Sequence, residues 1–226
     1  MKRKGIVVAI DGPAGAGKST VAHELARRLG YVLVDTGALY RGVALAARAR
    51  GIDWNDGPAL GALAQSLALS FHTAADGKPH LHIDDVDRES ELRTPEMSMG
   101  ASDVSKHPEV RQALLGIQRR LGANGGVVLE GRDIGTVVFP NAEVKVFLTA
   151  SAETRAARRV EDLGARGIRA ELDSTLREVR ARDAQDESRD VAPLKPAIDA
   201  LVLDTTGMNI EQVVDRLLGI ARAVGA

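Results

Sequence analysis

Residues Gly12-Pro13-Ala14-Gly15-Ala16-Gly17-Lys18-Ser19 fit the pattern G-x-x-x-x-G-K-[ST], between an apolar run, Gly5 to Ile10, and a helical pattern, Thr20 to Leu29. No other feature limits the possible folds as much. A buried strand that ends in such a loop and passes directly into a helix is the opening of an α/β sheet that holds phosphate at its carboxyl edge. The glycines let successive backbone N–H groups turn inward around the phosphates of a nucleoside triphosphate, and the helix N-terminus adds partial positive charge there. In this pattern Lys18 reaches the β- and γ-phosphates and the Ser19 hydroxyl holds Mg²⁺. The alternative is a Gly-rich turn with no ligand; the flanking strand and helix favour the phosphate loop.

The rest of the chain repeats the alternation. Short runs rich in Val, Ile and Leu predict buried strands at Gly5–Ile10, Tyr31–Val34, Gly126–Leu129, Glu143–Leu148 and Ala200–Leu203. Val110, Ala113, Leu114, Ile117 and Leu121 follow helical spacing, as do Ile210, Val213, Val214, Leu217, Leu218 and Ala221. The expectation is a three-layer α/β fold with a central five-stranded parallel sheet and right-handed crossovers. One segment breaks the rhythm. Leu69 to Thr73 and Pro79 to Asp84 alternate apolar and polar residues around Asp76-Gly77, which predicts a hairpin, with a third short strand near Val86–Arg88. Residues from about 67 to 92 therefore read as a small antiparallel insert. Residues 151–191 read as helical and arginine-rich, with Gly164 and Gly167 marking a break between two helices.

Composition excludes several functions. A chain of 226 residues builds one substantial core with small lobes at most. A net charge of −1 gives no case for a nucleic-acid partner. The absence of cysteine rules out disulfides, thiolate metal sites and a catalytic thiol, and fits a reducing compartment. After Lys2-Arg3-Lys4 the apolar run stops at Asp11, too short for a secretory signal, and no window reaches the length of a membrane span. These readings point to a cytoplasmic protein with no membrane partner, and to a monomer. His80 and His82 face one side of a predicted strand, but no further ligand supports a metal site.

Four clusters narrow the chemistry beyond the phosphate loop. Asp35-Thr36-Gly37-Ala38-Leu39-Tyr40-Arg41 follows the second strand and opens a helix; it is either a helix cap with a solvated Arg41 or a phosphate site. Glu130-Gly131-Arg132-Asp133 follows the third strand, where a carboxylate beside the phosphate loop orients Mg²⁺ or its waters. Arg155, Arg158 and Arg159 share one helical face, either as ligands of transferring phosphate oxygens or paired with Glu153, Glu161 and Asp162. Arg182, Asp186 and Arg189 also share a face, as a site for sugar and phosphate or as an internal salt-bridge ladder.

Taken together, I-D-G-P-A-G-A-G-K-S-T, D-T-G-A-L-Y-R, L-R-T-P-E, G-R-D-I-G-T-V-V-F-P and R-D-x-x-D-x-x-R-D-V-A-P-L resemble, in this order, the bacterial cytidylate kinase family of nucleoside monophosphate kinases. The resemblance runs from residue 5 to about residue 220 and includes the hairpin insert. It implies a single P-loop kinase domain: a core at 1–35, 105–150 and 192–226, a monophosphate-binding region at 36–104, and a lid with its following helix at 151–191. The implied reaction moves the ATP γ-phosphate to CMP or dCMP with Mg²⁺. By the same resemblance Gly12 through Thr20 hold the ATP phosphates, Thr36, Arg41, Arg111 and Arg132 grip the CMP phosphate, and Ser102, Arg111 and Asp133 read the cytosine. Arg182 and Asp186 approach the ribose, Arg189 lies near the transferring phosphate, and Arg155, Arg158 and Arg159 fall in the lid. Together with Lys18 and Arg132, the arginines at 158, 159 and 189 form the expected catalytic set, and Ser19 with Glu130 the metal site, the latter directly or through a water. Many relatives carry Asp where this chain has Glu130, so its reach to the metal's waters differs.

Rival readings are a P-loop kinase for another small acceptor, such as UMP, AMP, shikimate or gluconate, and a nucleotide-binding switch without transfer activity. An adenylate kinase would carry D-G-[FY]-P-R after the third strand, where Glu130-Gly-Arg-Asp stands here. A switch needs no second set of phosphate ligands such as the lid arginines.

Overall fold

The computed structural model describes residues 5–75 and 77–226; Met1 to Lys4, and Asp76 of the expected Asp-Gly turn, lie outside the described residues. Five parallel strands form the central sheet: β1 (Val7–Asp11), β2 (Val32–Asp35), β6 (Val127–Glu130), β7 (Val144–Thr149) and β8 (Leu201–Asp204). Their order is β2-β6-β1-β7-β8, so β1 is central and its carboxyl end opens at the point where the chain leaves in opposite directions. The apolar runs do not alternate because both faces are covered. Val8 and Ile10 pack with α1 (Lys18–Leu29) and α9 (Ile210–Val224), while Val7 and Ala9 pack with Leu129, Ile134 and Val138 on the other face.

Each strand runs one residue further than its apolar run. The added residues are Asp11, Asp35, Glu130, Thr149 and Asp204, and the ladder registers Ile10 with Glu130, Glu130 with Asp35, and Thr149 with Asp204. A charge ends an apolar pattern in sequence, yet Asp11, Asp35 and Glu130 are buried at the strand tips with specific partners. Helix α1 likewise begins at Lys18, two residues before its apolar periodicity shows.

The remaining helices form a second core beside the sheet. Helices α2 (Thr36–Ala49), α3 (Gly57–Ser66), α5 (Pro95–Val104) and α6 (Pro108–Gly122) pack with the short α4 (Glu89–Leu92) around Leu39, Leu60, Met97 and Leu114. Local signals set their starts: Asp35 caps Ala38 N, Asp56 caps Ala59 N, and Thr94 caps Met97 N with Pro95 behind it. The expected insert is a three-stranded antiparallel sheet, β3 (Leu69–Thr73), β4 (Pro79–Ile83) and β5 (Val86–Asp87). Asp84 and Asp85 both have positive φ, as a tight two-residue hairpin turn requires. Leu81 and Ile83 face the helices; Ser70, His72, His80 and His82 share the opposite face, with the His72 and His82 rings 4.1 Å apart. His80 Nδ1 lies 2.8 Å from Asp87 Oδ2, and no group of three metal-capable side chains occurs among the described residues.

The arginine-rich segment divides where its glycines predict. Helix α7 (Ala152–Gly164) ends at Gly164, Gly167 takes positive φ, and α8 begins at Leu172 and runs to Glu187. Among the described residues no helix is long and apolar enough to cross a membrane.

Candidate active site

The loop between β1 and α1 is fixed by close contact. Gly12 has φ 143°, and a Cβ there would sit 2.0 Å from the Leu148 carbonyl oxygen, so only glycine fits. Gly17 takes the left-handed conformation at the start of α1 and supplies no capping side chain. The first N–H groups of α1 are therefore left for a ligand, which is the arrangement that binds phosphate. Gly15, Gly17, Lys18, Ser19 and Thr20 line a cavity of about 730 Å³ at this point, with Ala14 and Ala16; Gly12 and Pro13 are not part of its lining. Lys18 Nζ donates to the Pro13 carbonyl at 2.8 Å. Burial, with Arg132 nearby, holds its ammonium well below the usual lysine range.

Carboxylates at the strand tips form the floor. The Ser19 hydroxyl donates to Glu130 Oε2 at 2.7 Å, so the two expected metal ligands touch. Burial, with Asp35 beside it, pushes the Glu130 carboxyl up to about 7. Asp11 is pushed up to about 6 by burial, against the lowering effect of the backbone N–H groups of Gly135 and Ile134. Asp35 is the opposite case. Burial raises it, but Arg41 and Arg93 together outweigh burial and leave it below the usual range. In the first cluster Asp35 caps α2, but Arg41 is not solvated: it donates to Asp35 Oδ2 at 2.6 Å and lines the cavity. The Thr36 hydroxyl donates to the Glu130 carbonyl at 2.7 Å and has to release that bond to donate to a phosphate.

The opposite wall is cationic and brings together Arg111, Arg132, Arg158, Arg159, Arg182 and Arg189, with Ser102, Asp133 and Asp186 between them. Arg111 donates to Asp133 and to the Ser105 carbonyl, and lies over the Tyr40 ring at 5.7 Å. Asp186, only 1% exposed, accepts from Arg132 Nε at 3.2 Å and from Arg189. Arg158 donates to the Thr205 carbonyl at 2.8 Å. Arg182 Nε and Arg189 Nε are buried without a partner, and burial beside Arg132 brings the Arg182 guanidinium down to about 10. Asp133 and Asp186 offset part of this charge, and the remaining guanidinium groups have the chemistry to take an anion.

Three expectations change. Arg155 does not line the cavity: it is buried, clamps Asp183 with both terminal nitrogens, and donates to the Ala14 and Ala150 carbonyls. Glu153 pairs with Arg180 of α8, not with Arg155, Arg158 or Arg159 of its own helix as their spacing suggests. The ladder on α8 is incomplete, since Asp186 pairs with Arg132 of another element and with Arg189. Sequence reading passed over Tyr40 and Thr205, which line the cavity, and over Asp11 and Arg93. The available signal for Asp11 was a carboxylate at a strand tip directly before the phosphate loop. Thr205 carried none.

A phosphate loop at the central strand of a five-stranded parallel sheet, faced by a wall of arginines, defines a P-loop kinase fold. The cytidylate kinase family model matches residues 8–223, and the chain belongs to that family. It is 51% identical over 215 residues to a cytidylate kinase of Syntrophotalea carbinolica, covering 95% of this chain and 91% of that one. It is 50% identical over 216 residues to a cytidylate kinase of Citrifermentans bemidjiense, covering 95% and 92%. The solved structure of an uncharacterized protein from Eubacterium ventriosum shares the fold, with a TM-score of 0.55 at 11% identity over 96% of this chain and 99% of that one.

Proposed function

We propose that this protein transfers the γ-phosphate of ATP to CMP or dCMP, giving ADP and CDP or dCDP, with Mg²⁺ that Ser19 and Glu130 would hold. The carrying observation is that one cavity of about 730 Å³ is lined both by the phosphate loop and by Arg41, Arg111, Arg132, Arg182 and Arg189. ATP phosphates lie on Gly12 to Thr20. The acceptor phosphate lies among Thr36, Arg41, Arg111 and Arg132, and Arg182 with Asp186 takes the ribose. The Ser19 hydroxyl and the raised Glu130 carboxyl suit a divalent cation, which supplies charge neutralisation at the phosphate oxygens when bound.

Ser102, Arg111 and Asp133 read the base. Cytosine presents an amino donor at position 4 and acceptors beside it, matching a carboxylate and a guanidinium held together. An oxygen at position 4, as in uracil, faces the Asp133 carboxylate and is repelled. Transfer needs no general base, because the acceptor phosphate oxygen is already ionised. That oxygen bonds to the γ-phosphorus as the bond to the ADP oxygen breaks. Lys18, Arg132, Arg158, Arg159 and Arg189 neutralise the oxygens between them. In this reading residues 36–104 bind the monophosphate, 151–191 close as a lid that excludes water, and the remaining residues form the core. The protein acts as a cytoplasmic monomer on free nucleotides, without nucleic acid or membrane, which its net charge and lack of cysteine support.

Asp186→Asn tests the acceptor side. Asp186 holds both Arg132 and Arg189, so the amide is expected to raise KM for CMP about tenfold or more and leave KM for ATP within about twofold. Steady-state kinetics with each substrate varied checks this. An unchanged KM for CMP returns Asp186 to a purely internal ion pair.

A further inference from the structure

The turn that carries Arg132 and Asp133 runs into a short π-helical segment, Ile134–Val138. Asp133 occupies the position from which a side chain ordinarily caps a helix, yet it makes no capping bond. Its carboxylate goes to Arg111 instead. The first two N–H groups of the segment are capped from another element: Ile134 N donates to Asp11 Oδ1 at 2.8 Å and Gly135 N to Asp11 Oδ2 at 2.7 Å. Asp11 ends β1 and immediately precedes Gly12. A second tether runs beside it, from Gly131 N to the Ile10 carbonyl at 3.0 Å.

We propose that Asp11 is a positioning residue for the acceptor site: by capping the Ile134–Val138 segment in place of Asp133, it leaves the Asp133 carboxylate free to hold Arg111 and read the base. An aspartate at a helix start satisfies the nearest backbone N–H groups when nothing else does, because buried unpaired donors are costly. With Asp11 satisfying both donors, Asp133 has no local claim on it. The segment's own carbonyl bonds close normally, with Val137 N donating to the Asp133 carbonyl at 2.9 Å, so only the cap is imported. One strand tip thus serves both substrates: its backbone continues into the loop for the donor phosphates, and its side chain fixes the turn for the acceptor.

This inference rests on the base-reading role of Asp133, and the experiment separates the two. Asp11→Asn, Asp133→Asn and the double variant are compared with the unaltered protein in steady-state kinetics with CMP and ATP varied in turn. Asparagine at 11 keeps one acceptor and loses the other. It is expected to raise KM for CMP about tenfold, to leave KM for ATP within about twofold, and to narrow the preference for CMP over UMP. The double variant should be no worse toward CMP than Asp133→Asn alone, because both changes remove one function. Additive losses, or equal increases in both KM values, overturn the proposal and make Asp11 a general support. If Asp133→Asn leaves KM for CMP unchanged, the base-reading role itself fails and the proposal with it. Asp11→Glu keeps the charge and both acceptors but displaces the turn by a methylene. If the asparagine variant does not fold, the glutamate variant must show the same selective loss toward CMP, and an unselective loss overturns the proposal.

Discussion

Lys18→Ala is expected to lower kcat about a thousandfold or more while the protein stays folded. The folded state loses little, since Lys18 makes one bond, to the Pro13 carbonyl, and its buried ammonium is held well below its ordinary pKa by desolvation. Alanine also favours the first turn of α1. The transition state loses much more. Charge spreads over the transferring oxygens, and a preorganised cation in a water-poor site contributes most at that moment. Circular dichroism and a thermal melt beside the kinetics separate the two effects. A kcat within about tenfold of the unaltered protein removes Lys18 from the reaction.

The second large effect is expected at Glu130, the carboxylate proposed to hold the metal. Its carboxyl is raised from 4.5 to about 7 by burial and by Asp35, so in the ligand-free protein the proton leaves only near neutrality. A divalent cation binds the ionised form. Apparent Mg²⁺ affinity is therefore expected to fall about tenfold per pH unit below 7 and to level off above it. Saturating Mg²⁺ moves the midpoint to lower pH, because the cation favours the charged form. The sign for folding is opposite to that of an ordinary paired carboxylate. A folded pKa above the unfolded one means that the ligand-free protein loses stability as pH rises from about 4.5 to 7, and Mg²⁺ restores it. Glu130→Gln should abolish the pH dependence of Mg²⁺ affinity, remove the part of the stability loss that extends to pH 7 while leaving that of Asp11, and lower kcat/KM by about a hundredfold or more. Asp11 titrates in a neighbouring range, near 6, so the glutamine variant is the control that assigns the limb. A Mg²⁺ affinity that does not vary between pH 6 and 8 contradicts the assignment.

The parts legible in sequence were those set by local chemistry. Five apolar runs gave the sheet because strands covered on both faces read as unbroken hydrophobic stretches, and Gly17-Lys18-Ser19 gave the phosphate loop because its geometry is written into adjacent residues. The hairpin insert followed from its alternation. Partners distant in the chain were not legible. Arg155, Arg158 and Arg159 share a face, but helical spacing gives direction without depth. Arg155 sits about 4.5 Å further down the axis, under the loop, where Asp183 and two carbonyls take it. The pairing of Asp186 with Arg132 spans 54 residues, and no period on α8 announces it. The strand-tip carboxylates were misread as ends for the same reason. Charge marks a boundary in a pattern, whereas burial depends on what the fold brings opposite.

The most direct test measures ADP formation from ATP and Mg²⁺ against CMP, dCMP, UMP, AMP, GMP, dTMP and shikimate as separate acceptors. The geometry predicts strong stimulation by CMP and dCMP, with one CDP or dCDP formed for each ADP, and little from the others. Stimulation by a purine nucleotide or by shikimate in preference to CMP contradicts the base-reading assignment, and no stimulation by any acceptor contradicts the phosphotransferase reading itself.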